Sequence, residues 1–157
     1  MNRDETMGST EWLTGELAAL VASLSGRASG VWLARGDRLE QLAFVAGEGL
    51  DPDTVRAFAE ATREVALSHG DLGIVRAYHD GRPAVVRASE SPADSGSGRW
   101  LRAFGAARSV AVPLKRRAGQ IAALLAVALG DAPADEEVVS RLRQVGSTLL
   151  DRLPLAP

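Results

Sequence analysis

Ser109-Val110-Ala111-Val112-Pro113-Leu114 is followed by the basic turn Lys115-Arg116-Arg117-Ala118-Gly119 and then by the apolar run Ile121-Ala122-Ala123-Leu124-Leu125-Ala126-Val127-Ala128-Leu129. Two strand-like segments joined by so short a turn pair as antiparallel neighbours. The second does not alternate: every residue from Ile121 to Leu129 is apolar. A strand that is apolar on both faces is covered on both faces. The hairpin therefore predicts a central strand of an antiparallel sheet, held between two helical layers.

Working outward from it, Asp131-Ala132-Pro133 breaks the chain, and a last helix carries Val138, Leu142, Val145 and Leu149 at helical spacing. At the other end, Ser9 or Thr10 can cap a helix whose stripe is Leu13, Leu17, Leu20 and Leu24. Ser29 to Arg35 and Arg38 to Ala46 read as a hairpin around Gly36-Asp37. Asp51-Pro52 starts a helix, with Asp51 as cap and Pro52 in the first turn; Val55, Phe58, Ala59, Thr62 and Ala66 share its face and His69-Gly70 closes it. A short helix is expected from Leu72 to Tyr78, a strand from Pro83 to Arg87, a loop from Ser89 to Gly98, and a helix from Arg99 to Ala107. Residues 1–8 read as a disordered lead, 9–153 as one domain and 154–157 as a tail.

Composition removes several function classes. A chain of 157 residues suits a single domain that folds without metal or disulfide. The net charge of −2 gives no basis for nucleic-acid binding. With no cysteine, disulfides, thiolate zinc sites, iron–sulfur clusters and thiol nucleophiles are all excluded. Neither an apolar leader nor a run approaching roughly 20 apolar residues is present, so no membrane association is expected and the cytoplasm is the expected compartment.

Three segments carry a family resemblance. Gly73-Ile74-Val75-Arg76-Ala77-Tyr78-His79-Asp80-Gly81-Arg82-Pro83-Ala84-Val85-Val86 is similar to the glycine, short helix, Gly-x-Pro and apolar strand of GAF domains. Ser109 to Leu114 resembles their strand ending in Val-Pro-Leu, and Gly119 to Leu125 their last hairpin strand, with Ala123 in place of a usual glycine. The resemblance implies an α+β, three-layer α/β/α (profilin-like) fold with a central antiparallel sheet of five or six strands, order 2-1-5-4-3. It implies terminal helices on one face and a small-molecule pocket on the other. Family members sense cyclic nucleotides, bilins, haem, anions or metabolites, or serve as dimerisation modules. The missing cysteines argue against a thioether-linked bilin and against the methionine sulfoxide reductases of this fold. Asn2 as the only asparagine excludes the Asn-Lys…Phe…Asp-Glu signature of cyclic-nucleotide binders.

The candidate ligand-binding residues are Trp32, Phe44, Tyr78, His79, Arg87, Trp100, Phe104 and Ser109. Pockets are lined by apolar and aromatic side chains with a few fixed polar groups, although large aromatics also build any core. Arg87, Arg102 and Arg108 flank the implied pocket, where an arginine fork could take a carboxylate or phosphate, the alternative being solvated surface. His69 and His79, near Asp71 and Asp80, invite a metal or haem, but the spacing is not that of a helical pair and no third ligand stands out; no metal and no cofactor are expected. The Ser89 to Gly98 stretch is either a lid or a plain connection. No Ser-His-Asp, paired-carboxylate or phosphate-loop pattern is present, so a non-enzymatic module is expected, with catalysis requiring His79 to meet an acid in an open cleft.

Two functions follow as expectations. One is a sensor that binds a small molecule without a covalent bond and signals through a partner protein or a change in its dimer; the other is a protein-interaction or dimerisation scaffold without a ligand. Trp12, Val21, Val139, Leu150 and Leu153 lie outside the two leucine stripes, which predicts a homodimer through residues 10–24 and 137–153.

Overall fold

The structure, a computed structural model, describes residues 3–68, 72–92, 94 and 96–153, with the side chains of the first helix described from Glu11 onward. Five α-helices and six strands follow in the order α1 (Arg3–Ser23), β1 (Ala28–Arg35), β2 (Arg38–Ala46), α2 (Pro52–Ala61), β3 (Glu64–Ala66), α3 (Gly73–Asp80), β4 (Ala84–Arg87), α4 (Gly96–Phe104), β5 (Arg108–Lys115), β6 (Ile121–Leu129) and α5 (Asp135–Leu150) among the described residues. The strands form one antiparallel sheet in the order β3-β2-β1-β6-β5-β4. Leaving out β3, the remaining five run 2-1-5-4-3, as the resemblance implies.

The β5–β6 hairpin lies where its composition puts it, with β6 between β1 and β5. Period-2 alternation divides its neighbours cleanly. Val31, Leu33, Val110, Val112 and Leu125 face α1 and α5, meeting the stripes Leu13, Leu17, Leu20 and Val138, Leu142, Leu149. Trp32, Ala111 and Leu124 face the other way, toward Ile74, Val75 and Ala77 of α3. Both faces are covered, which is why β6 carries no polar side chain.

Several sequence expectations are corrected. The helix α1 begins at Arg3, ahead of Ser9 or Thr10 and within the stretch read as a lead. The helix α2 starts as expected, with the Asp51 carboxylate accepting from Asp53 N, but it stops at Ala61 rather than at His69-Gly70. At its end the Thr62 hydroxyl donates to Phe58 O within the last turn, and a tertiary bond takes the next carbonyl out of the helix: Thr62 O accepts from Trp32 Nε1 at 2.8 Å. The chain then adds β3 to the sheet edge, pairing Glu64 with Glu40 and Val65 with Leu39. His69 and Asp71 lie outside the described residues. The helix α4 starts at Gly96, inside the stretch read as loop.

The apolar residues outside the leucine stripes also differ from expectation. Val21 is buried in the same core, and Trp12, Val139, Leu150 and Leu153 are half-buried against it. Arg152 covers the Trp12 ring at 3.8 Å from its centroid. Val21 is accounted for by this core, whereas Trp12, Val139, Leu150 and Leu153 keep part of their surface uncovered.

Candidate functional site

Between the sheet and the helices α2, α3 and α4 is a chamber of about 80 Å³. Its floor is a consequence of register. Across β1, β6 and β5, one row is Gly30, Ala126, Ala111 and the next is Ala28, Ala128, Ser109. Two rows of small side chains on three adjacent strands leave a depression where bulky residues would meet the helices. Gly30 has a second role: a Cβ there would stand 2.6 Å from Trp32 Cη2, so the indole can lie along the floor only over glycine.

The roof is aromatic. Phe58 of α2 is its hub, with ring centroids 4.9 Å from Phe44, 5.2 Å from Trp100, 5.2 Å from Phe104 and 6.5 Å from Trp32. The edge-on arrangement of Phe58 against Trp32, Trp100 and Phe104 is the favoured one for aromatic pairs. The remaining wall is a polar corner at the start of α3. Ser97 Oγ accepts from Gly73 N at 3.2 Å, and Ser109 Oγ is 3.4 Å from the point a Cβ on Gly73 would occupy.

Of the eight candidates, Trp32, Phe44, Trp100, Phe104 and Ser109 line this chamber, and Tyr78, His79 and Arg87 do not. Tyr78, on α3, packs half-buried against the core cluster around Trp32 and Leu124. His79 is exposed, with Nε2 2.6 Å from Leu67 O, where it ties α3 to the segment after β3. Arg87 stands on the opposite sheet face, as β4 alternation requires, and pairs with Asp135 of α5.

Arg108 joins the same carboxylate and also donates to Gly130 O and Pro133 O; it is 1% exposed. Both arginines hold the start of α5 rather than an anion in the pocket. Arg102 is exposed and donates to the carbonyls of Ala88, Ser91 and Gly98, stapling the Ser89 to Gly98 stretch onto α4. No group of three or more His, Cys, Asp or Glu suited to a metal occurs among the described residues. No helix among the described residues is long and apolar enough to cross a membrane.

Sequence reasoning missed Phe58, Ser97 and the floor. Phe58 was visible only as one member of a helix face. The floor had a signal in the paired small-residue pattern Ala28-x-Gly30 and Ala126-x-Ala128, but reading it needs the register of strands far apart in the chain.

A six-stranded antiparallel sheet with a helix pair on one face and a roofed chamber on the other defines a GAF-type architecture. The model of the GAF domain matches residues 13–149, and the chain belongs to this family. No curated protein matches the sequence significantly. Among solved structures, the chain is similar to the type II free methionine-R-sulfoxide reductase of Thermoplasma acidophilum, at 14% identity over 95% of this chain and 97% of that one, TM-score 0.64. It is similar to the GAF domain/HD domain protein of Geobacter sulfurreducens, at 14% identity over 89% and 88%, TM-score 0.65. It is also similar to the blue-light absorbing form of the Thermosynechococcus elongatus PixJ GAF-domain, at 16% identity over 97% and 90%, TM-score 0.62.

The first of these corrects the expectation of a non-enzyme. A chain of the same fold, matched over nearly its whole length, is an enzyme, so the architecture does not argue against catalysis. At such identity the likeness shows the fold alone, and it does not bring that activity to this chain.

Proposed function

We propose that this GAF domain is a sensory or regulatory module. It binds a small molecule non-covalently in the chamber under α2, α3 and α4, and passes occupancy to a partner protein or to a second copy of itself. The observation that carries the reading is the chamber: two rows of small residues keep space open beneath an aromatic roof that a plain core would fill. Occupancy has a route outward, because Ser109 in the wall is followed on the other face by Val110 and preceded by Arg108, which holds α5 through Asp135.

A thermal-shift screen of metabolites against the chain tests this reading. At least one compound is expected to raise the melting temperature with a saturable dose dependence. A screen without any hit, together with a density map of a dry chamber, would refute it.

A second reading, a scaffold without ligand, is favoured by the volume. About 80 Å³ is well below the roughly 300–1,000 Å³ of drug-sized sites, because Phe58, Trp100 and Phe104 occupy most of the space. In either reading we propose a homodimer through α1 and α5. Leu20 and Leu149 are core residues, so charges there would unfold the chain instead of testing the interface. Ala19 is exposed on α1, and Ala19→Arg is the informative variant. Light scattering is expected to give twice 16.5 kDa for the parent and a monomer for the variant; a parent that is monomeric at micromolar concentration refutes the dimer.

A further inference from the structure

We infer that the chamber takes an uncharged, mainly apolar molecule of about the size of one aromatic ring, whose single polar group meets the hydroxyls of Ser97 and Ser109. The inference rests on the sensory reading above and specifies its ligand.

Charge is excluded by the lining. Among the described residues that line the chamber none is ionisable; of the arginines around it, Arg87 and Arg108 are turned to the opposite sheet face and committed to Asp135, Arg99 lies over the Trp100 ring at 5.3 Å from its centroid, and Arg102 is committed to the carbonyls of Ala88, Ser91 and Gly98. An ion placed here would lose its hydration without a counter-charge, at a cost that ordinarily prevents binding.

The polar groups that do line the chamber are mostly used internally. Trp32 Nε1 donates to Thr62 O, Ser29 Oγ donates to Ala126 O at 2.7 Å, and Thr62 Oγ1 donates to Phe58 O while accepting from Gln41 Nε2. Ser97 is different: its oxygen accepts from Gly73 N, which leaves its own proton to donate. Ser109 Oγ has no side-chain partner among the described residues and sits beside Gly73 in the same corner. A hydroxyl can both donate and accept, so one hydroxyl, carbonyl or similar neutral group on the ligand satisfies this corner.

Size follows from the volume. About 80 Å³ is several times the roughly 10–15 Å³ that admits one water, and too little for a nucleotide or tetrapyrrole. Shape follows from the walls, which offer ring faces and edges on the roof and flat small-residue strands on the floor.

The test uses the whole chain with three probes of nearly equal size: toluene, phenol and benzoate at neutral pH. Binding is read by tryptophan fluorescence, since Trp32 and Trp100 line the chamber, and by melting temperature. Toluene and phenol are expected to bind, and benzoate at least about a hundredfold more weakly. Ser109→Ala is expected to weaken phenol about tenfold and leave toluene unchanged. Ala126→Leu, which raises a floor residue between Gly30 and Ala111, is expected to abolish binding of both while the variant still melts cooperatively.

Benzoate binding within tenfold of phenol would overturn the inference, as would Ser109→Ala weakening toluene as much as phenol. A charged metabolite that raises the melting temperature through this chamber would overturn the ligand class and leave the sensory reading standing. Failure of all three probes together with a screen without hits would overturn both.

Discussion

Asp135→Asn removes the one carboxylate that pairs with Arg87 and Arg108 among the described residues, and its cost can be worked from the geometry. Arg108 is 1% exposed and, among the described residues, has only neutral acceptors after the substitution: Gly130 O, Pro133 O and the new amide oxygen. Breaking a buried ion pair by removing one partner costs about 3–5 kcal/mol. The Asp135 side chain is 33% exposed, so water screens part of that, and about 2–3 kcal/mol is the discounted figure. Asp135 also opens the first turn of α5, where a negative charge contributes about 0.3–1 kcal/mol against the helix dipole. The expected loss is about 3 kcal/mol. For a domain of this size, at about 2–4 °C per kcal/mol, it lowers the melting temperature by about 6–12 °C. Arg108→Met is the control: it removes the buried charge, leaves Asp135 paired with Arg87, and is expected to stay within about 1 kcal/mol of the parent. Urea unfolding followed by far-UV circular dichroism measures both. If Asp135→Asn costs less than about 0.5 kcal/mol, or if Arg108→Met costs more than it, the pair does not anchor α5 in the way described.

Three further outcomes are expected. Gly30→Ala puts a methyl 2.6 Å from the Trp32 indole, so the ring must shift and release Thr62 O; a loss of about 1–3 kcal/mol with altered tryptophan emission is expected, and an unchanged spectrum would contradict it. Leu142→Ala, at 0% exposure between the sheet and α1, is expected to cost about 2–5 kcal/mol by urea titration, and half-buried Leu150→Ala less than half as much. Arg102→Ala removes the staple on the carbonyls of Ala88, Ser91 and Gly98; global stability should move by less than about 1 kcal/mol while amide exchange in residues 88–98 accelerates, and unchanged exchange would show that the staple holds nothing.

The β5–β6 hairpin, the Asp51-Pro52 helix start and the two leucine stripes were legible in the sequence because each rests on local physics. A turn, a cap and a hydrophobic period act within a few residues, and β6 announced its own burial by having no polar face. Tertiary structure decided the rest. The break of α2 at Thr62 and the addition of β3 come from a bond to Trp32, thirty positions away in the chain. Which sheet face an arginine occupies was undecided by composition: Arg87 and Ser109 lie in paired strands, yet Arg87 belongs to the α5 side and Ser109 to the chamber. Alternation says which residues travel together, and only the packed helices say toward what. The chamber itself exists because Ala28 meets Ala128 and Gly30 meets Ala126, a register closed between strands about a hundred positions apart in the chain. No local rule reports that coincidence of small residues.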